Sequence, residues 1–144
     1  MSESIVVGTD GSATAARAVD EAVRLAKALG AEIHLVSGYE PRRGVRVEGP
    51  RGSDVVTALP DTFVNATVDE AVSNVRLRGV QVHGHSVKRD PADALLEVAD
   101  EVGASVIVVG SKGMHGAKRL LGSVPNKVAH QARCNVLIVS TDRS

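Results

Sequence analysis

The sequence predicts an α/β fold: an open five-stranded parallel sheet with helices on both faces. Two observations carry this. Short runs rich in β-branched residues alternate with helical patterns along the chain, and three of those runs, Ile5–Val7, Val106–Val109 and Val136–Val139, are apolar throughout instead of alternating apolar with polar. Strands buried on both faces read this way, and parallel sheets covered by helices are where such strands occur. The strands are expected at Ile5–Val7, Ile33–Val36, Val80–His83, Val106–Val109 and Val136–Val139.

The intervening helices follow in order. Ala15, Ala18, Val19, Ala22, Leu25, Ala26 and Leu29 recur at helical spacing, with Arg17, Glu21, Arg24 and Lys27 on the other side and Gly30 as a terminator. A second helix is expected over Thr62–Arg78, its buried stripe made of Val64, Val68, Ala71, Val72 and Val75, closed by Gly79. The third is the best marked. Asp90 suits the N-cap, Pro91 the first helical position, and Asp93 the positive helix end; Leu95, Leu96, Val98, Ala99 and Val102 follow before Gly103. A fourth runs from Ser123 to near Arg133. Between the second strand and the second helix, Glu40–Pro60 is rich in Pro, Gly and Arg without periodicity, and is expected to be a long surface loop.

Composition narrows the function. The chain of 144 residues carries 17 Lys and Arg against 17 Asp and Glu, so no global field recruits nucleic acid or an anionic membrane. Any anion site must be local. With one Phe, one Tyr and no Trp, stacking of nucleic-acid bases on aromatic side chains is not expected. The apolar runs fall far short of the roughly 20 residues of a membrane helix. The opening residues lack the pattern of a secretory signal, and a single cysteine, Cys134, makes no internal disulfide; a cytoplasmic location is expected.

In an open parallel sheet, ligands bind beyond the carboxyl ends of the strands, where chain order reverses. After the first strand comes Gly8-Thr9-Asp10-Gly11-Ser12, with a carboxylate at the strand tip and a hydroxyl that can cap the next helix. After the fourth comes the more informative segment, Gly110-Ser111-Lys112-Gly113, continuing through Gly116 to Gly122-Ser123-Val124-Pro125. Glycines admit an anion close to the backbone, and successive amides in a turn form a donor concavity. The segment ends at a helix start, where unpaired amides and the macrodipole favour negative charge. Because Pro125 has no amide, the donors there are Gly122, Ser123, Val124 and Asn126. Lys112, His115, Lys118 and Arg119 add positive charge nearby.

Other chemistries lack their motifs. There is no GxxxxGK[ST], no GxGxxG after the first strand and no GxSxG. Cys134, between a helix and a strand, reads as a small buried thiol. His83 and His85 lie two apart, but no carboxylate or cysteine at ligand spacing completes a metal site, and His34 and His130 have no evident partner. They read as ordinary polar positions. No catalytic residue is assigned, and no protein ligands for a metal.

In these motifs the chain resembles the universal stress protein family nearly from end to end. The resemblance rests on IVVGTDGS at Ile5–Ser12, on Asp90–Leu96, on VVGSKG followed by LLGSVPNKV, and on the closing ARCNVLIV. It implies one domain over residues 1–144 with a Rossmann-like sheet in the order 3-2-1-4-5, and a cytoplasmic stress-response module. It further implies binding of an adenine nucleotide, ATP or else AMP or cyclic AMP, with Mg2+ carried by the phosphates. The ATP-binding members show a G-x2-G-x9-G-[ST] pattern; here Gly110, Gly113, Gly122 and Ser123 match it with eight residues, not nine, between Gly113 and Gly122. The adenine contact falls at Gly38, with Asp10 on the nucleoside side. The resemblance also implies a homodimer through the last strand, at Asn135–Thr141. Two other readings stand beside nucleotide binding: a slow ATP hydrolase or phosphotransferase, for which Asp10 is the only candidate base, and a dimeric interaction module without nucleotide.

Overall fold

Ile5, Val6 and Val7 are wholly inaccessible to solvent although they alternate between two faces, because the strand they form lies in the middle of a sheet covered on both sides. The computed structural model describes residues 3–39, 45–48, 54–57, 61–111 and 122–141. In chain order the elements are β1 (Ser4–Gly8), α1 (Ala13–Leu29), β2 (Glu32–Gly38), β3 (Val45–Glu48), β4 (Asp54–Thr57), α2 (Asp61–Leu77), β5 (Val82–Val87), α3 (Pro91–Val102), β6 (Val106–Gly110), α4 (Ser123–Gln131) and β7 (Asn135–Val139). Five strands pair in parallel in the order β5-β2-β1-β6-β7, which is 3-2-1-4-5 for the strands of that sheet.

Strand alternation divides the apolar residues between two layers. Ile5, Val7, Ile33, Leu35 and Val108 face α1 and α2, meeting Ala18, Ala22, Val23, Ala26 and Val75. Val6, Val36, Ile107 and Val109 face α3 and α4, meeting Ala94, Leu95, Val98 and Val128. Small residues dominate the helix faces, so the helices approach the sheet closely and a core without large aromatic residues still fills. No described helix is long and apolar enough to cross a membrane.

The helix ends obey their local chemistry. The Ala15 amide donates to the Ser12 hydroxyl (3.1 Å), and Gly30 takes the left-handed conformation (φ 65°) that closes α1. At α3, the amides of Ala92 and Asp93 donate to Asp90 Oδ1 (3.1 and 3.2 Å), and Gly103 ends the helix at φ 62°.

Three sequence expectations are corrected. The stretch at 40–60 is not loop throughout, because it contains the antiparallel pair β3 and β4. Leu29, placed on the buried stripe by spacing, is 50% exposed: as the last residue before the Gly30 cap it projects beyond the sheet-facing stripe that ends at Ala26. The third strand of the parallel sheet starts at Val82 and runs on to Val87, where Val80–His83 was expected. Its polar middle, His83-Gly84-His85-Ser86, masks a strand that lies at the sheet edge and pairs through its backbone.

Gly84 marks a close approach within that strand. A Cβ there would lie 2.5 Å from Val68 Cγ1 and 2.9 Å from Val72 Cγ2, so α2 packs against bare backbone. Gly84→Ala is therefore expected to lower unfolding free energy by about 1–3 kcal/mol, the usual cost of overpacking, measured by urea denaturation. An unchanged midpoint would show that α2 does not pack as described.

Candidate functional site

The chain runs outward from β1 to β2 and β5 on one side, then returns to lay β6 against the opposite edge of β1. The reversal opens the sheet between the carboxyl ends of β1 and β6. A cavity of about 560 Å³ occupies this place, within the roughly 300–1,000 Å³ of small-molecule sites. Its floor is Gly8, Thr9 and Asp10 after β1 and Val109 and Gly110 at the end of β6; Val36, Ser37 and Gly38 at the end of β2 form one wall. Pro91 and Leu95 of α3 extend that wall, and Gly122 to Pro125 at the start of α4 form another.

Each part of the lining has a local cause. The Thr9 amide donates to the Val36 carbonyl (2.9 Å), carrying the β1–β2 pairing one residue beyond β1. Asp10 Oδ1 accepts the Ser12 amide (2.9 Å), so the carboxylate both shapes the turn and stands on the cavity lining. Gly38 is required by packing: a Cβ there would lie 2.7 Å from Pro91 Cα, 2.8 Å from Ala94 Cβ and 2.9 Å from the Arg89 carbonyl oxygen. Glycine lets α3 begin directly against the end of β2.

The amides at the start of α4 decide what the cavity can hold. Gly122 is the N-cap and has no side chain with which to cap the helix. Among the described residues, no protein group accepts from the amides of Ser123 or Val124, and both residues line the cavity. With the helix dipole behind them they present a donor site for an anion. The Asn126 amide is different. It donates to the Gly122 carbonyl (3.1 Å) as the first bond of the helix, and Asn126 is not on the lining, which corrects its expected place among the open donors.

Of the other residues picked out from the sequence, Gly8, Thr9, Asp10, Gly38, Gly110 and Gly122 meet on this cavity. Ser111 lies beside it, turned away: it is buried, its amide donates to the Val139 carbonyl (2.9 Å), and its hydroxyl accepts the Thr141 amide (3.1 Å). Lys112, Gly113 and Gly116 lie outside the described residues, as do His115, Lys118 and Arg119. Sequence reasoning missed the contribution of α3. Asp90-Pro91 was legible as a helix start, but nothing local says that this start abuts Gly38.

A cross-helix clasp fixes two cavity walls relative to each other. Lys127 of α4 reaches Asp93 (2.9 Å) and Asp90 (3.4 Å) in the first turn of α3. Hydrogen bonding with Asp93, whose amide donates to Asp90 Oδ1, together with the Lys127 charge, holds the Asp90 carboxyl below the usual carboxylate range.

The histidines also differ from their sequence reading. His34 has partners: its Nδ1 lies 2.9 Å from His85 Nε2, and its Nε2 lies 3.2 Å from Glu32 Oε1. His83 Nε2 lies 3.3 Å from Glu32 Oε2, so a carboxylate does join the histidines. Parallel registration of β2 with β5 sets His34 opposite His83 across a separation that local spacing cannot reveal.

The fold, with a cavity at its switch point, defines a Rossmann-like α/β protein. The family model described as the universal stress protein family matches residues 1–140. The chain belongs to that family. It is 36% identical to a universal stress protein of Mycobacterium tuberculosis, over 96% of this chain and 97% of the relative, and 33% identical to the universal stress protein YxiE of Bacillus subtilis, over 96% and 99%. Among solved structures, a universal stress protein in complex with cAMP superposes with a TM-score of 0.76 at 36% identity, covering 98% of each chain. The universal stress protein of Archaeoglobus fulgidus in complex with dAMP superposes with a TM-score of 0.71 at 26% identity, covering 95% of this chain and 97% of that one.

The clasp makes a testable statement about pH. The folded-state pKa of Asp90 lies below its unfolded value, so its stabilisation is present above the unfolded pKa and is lost as pH falls through the folded one. Asp90→Ala is expected to cost about 1 kcal/mol near neutral pH, the usual worth of an N-cap. Denaturation midpoints of the two proteins should converge below the carboxylate range; a gap independent of pH would show that the carboxylate charge contributes nothing.

Proposed function

We propose that the chain binds an adenine nucleotide in the cavity between β1 and β6, with phosphate on the amides of Ser123 and Val124. The base lies toward Val36, Ser37 and Gly38, and Asp10 is on the nucleoside side. The observation that carries this reading is that helix-start amides with no acceptor among the described residues, a wall built by β2 and α3, and a strand-tip carboxylate share one cavity. Two relatives similar over nearly the whole chain carry cAMP and dAMP in their solved structures, and both ligands join adenine to a single phosphate. A nucleoside monophosphate, cyclic or open, is the ligand whose one anionic group matches the pair of amides. ATP, with any Mg2+ its phosphates carry, would need further donors beyond that pair of amides.

The role is regulatory, occupancy being the signal in a stress response, and the location is the cytoplasm. Cys134, a free and partly buried thiol, is compatible with a reducing compartment. Binding without turnover is favoured because Asp10 is the one carboxylate on the described lining, and its Oδ1 already accepts the Ser12 amide.

Calorimetry with cyclic AMP, AMP, ATP with Mg2+ and adenosine tests the assignment. A ligand specific to the folded state at a hundred times its Kd stabilises the protein by about 2.7 kcal/mol. Gly122→Val adds a branched side chain at the helix start and should weaken the phosphate-bearing ligands tenfold or more while sparing adenosine. Equal affinity of the variant for cyclic AMP would remove the phosphate from this place.

The same proposal includes a homodimer through Asn135–Thr141. β7 ends the sheet, pairs with β6 alone among the described strands, and carries the half-buried Val136, Leu137, Ile138 and Val139. An apolar edge left unpaired invites association. The full chain should sediment as a dimer, and a chain ending before Asn135 should lose both dimerisation and solubility; a well-behaved truncated monomer would contradict this.

A further inference from the structure

At the end of the sheet opposite the nucleotide cavity, Glu32, His34, His83 and His85 gather on one face of the β2–β5 pair. Alternation along β2 sends Ile33 and Leu35 into the layer under α1 and α2, and therefore Glu32 and His34 to the other face, the one that carries Val36. Register then brings His83 beside His34, ring centroids 4.9 Å apart with planes inclined by 21°. Among the described residues, Glu32, His34 and His83 are the one group of three ligating side chains whose donor atoms all lie within 4.8 Å of one another.

We propose that these three side chains bind a divalent transition-metal ion of the Zn2+ kind, through Nε2 of His34, Nε2 of His83 and the Glu32 carboxylate. The separations come close to what one ion needs. Metal–ligand bonds of about 2.0–2.2 Å in a tetrahedron set the donors roughly 3.3–3.6 Å apart. Here His34 Nε2 stands 3.2 Å from Glu32 Oε1 and His83 Nε2 3.3 Å from Glu32 Oε2, and one donor atom from each of the three side chains lies within 4.8 Å of the others, so a small inward movement brings them onto one ion. Two imidazoles with one carboxylate favour zinc and its first-row neighbours over Mg2+ or Ca2+, which prefer oxygen donors.

The supporting contacts are those a metal site needs. A ligating histidine is oriented by a hydrogen bond at its other nitrogen, and His34 Nδ1 has one, to His85 Nε2 at 2.9 Å. Without metal, His34 Nε2–H donates to Glu32 and Nδ1 accepts from His85. With metal on Nε2, the proton sits on Nδ1 and donates to His85 Nε2, whose own proton moves to its Nδ1; neither ring changes charge. The carboxylate is held in turn by the Ser4 hydroxyl, which donates to Oε1 (3.1 Å). His34 is nearly buried, at 8% side-chain exposure, and His83 is 47% exposed, so one ligand is fixed inside while the other faces the solvent from which an ion and a completing water enter.

Titration calorimetry of the untagged 144-residue chain with Zn2+ tests the site, with the visible spectrum of the Co2+ form as a second readout of geometry. One Zn2+ per chain should bind, and Co2+ should show the intense bands of four-coordination. His83→Gln, at the exposed ligand, and Glu32→Gln should each weaken Zn2+ by roughly tenfold or more, with far-ultraviolet dichroism and cyclic AMP affinity unchanged. His130→Gln should leave the Zn2+ isotherm as it was. The absence of saturable one-to-one uptake would overturn the proposal, as would full affinity in His83→Gln or only six-coordinate Co2+. Because cyclic AMP is measured separately on the same variants, failure of the nucleotide assignment would not be mistaken for failure of this one.

Discussion

The pairing of β1 with β6 is the constraint on which the rest depends. Ile5, Val6 and Val7 register with Val106, Ile107 and Val108, and that one contact joins the half of the chain that builds outward through β2 and β5 to the half that ends in β7. It also separates the turns that follow the two strands. The β1 turn leads to α1 on one face, and the β6 segment leads to α4 on the other. A gap at the carboxyl ends is the geometric result, so the site is a property of topology before it is a property of any side chain.

What the gap holds is decided by two glycines and a helix start. Gly38 lets the first turn of α3 close down on the end of β2, and Gly122 brings the backbone of α4 to the cavity with no capping side chain in front of its amides. Lys127 ties α4 to the first turn of α3, and so links the wall at the start of α4 to the wall built by β2 and α3.

Much of this was legible in the sequence because the signals are local. Asp90-Pro91 with Gly103, and Ser12 with Gly30, mark helix ends by capping chemistry that needs no tertiary information. The apolar runs at Ile5, Ile33, Val106 and Val136 mark buried strands for the same reason. Illegible features were those that depend on register or on polar strands. β5 carries His83, Gly84, His85 and Ser86, which read as turn-like until backbone pairing at the sheet edge is known. β3 and β4 are short and embedded among prolines, glycines and arginines. The meeting of Glu32 and His34 with His83 and His85 follows only from the parallel register of β2 and β5. Within the candidate site, the glycines after β1 and β6 and the start of α4 could be picked out, whereas the occupied Asn126 amide and the inward turn of Ser111 required coordinates.

The central claim concerns two backbone amides, and amide-resolved NMR addresses it directly. In a titration of the 15N-labelled chain with cyclic AMP, the account predicts the largest downfield amide-proton shifts at Ser123 and Val124, with smaller changes at Gly8 to Asp10 and at Gly38. Saturable binding that leaves both helix-start amides unmoved while perturbing another face of the sheet would contradict it.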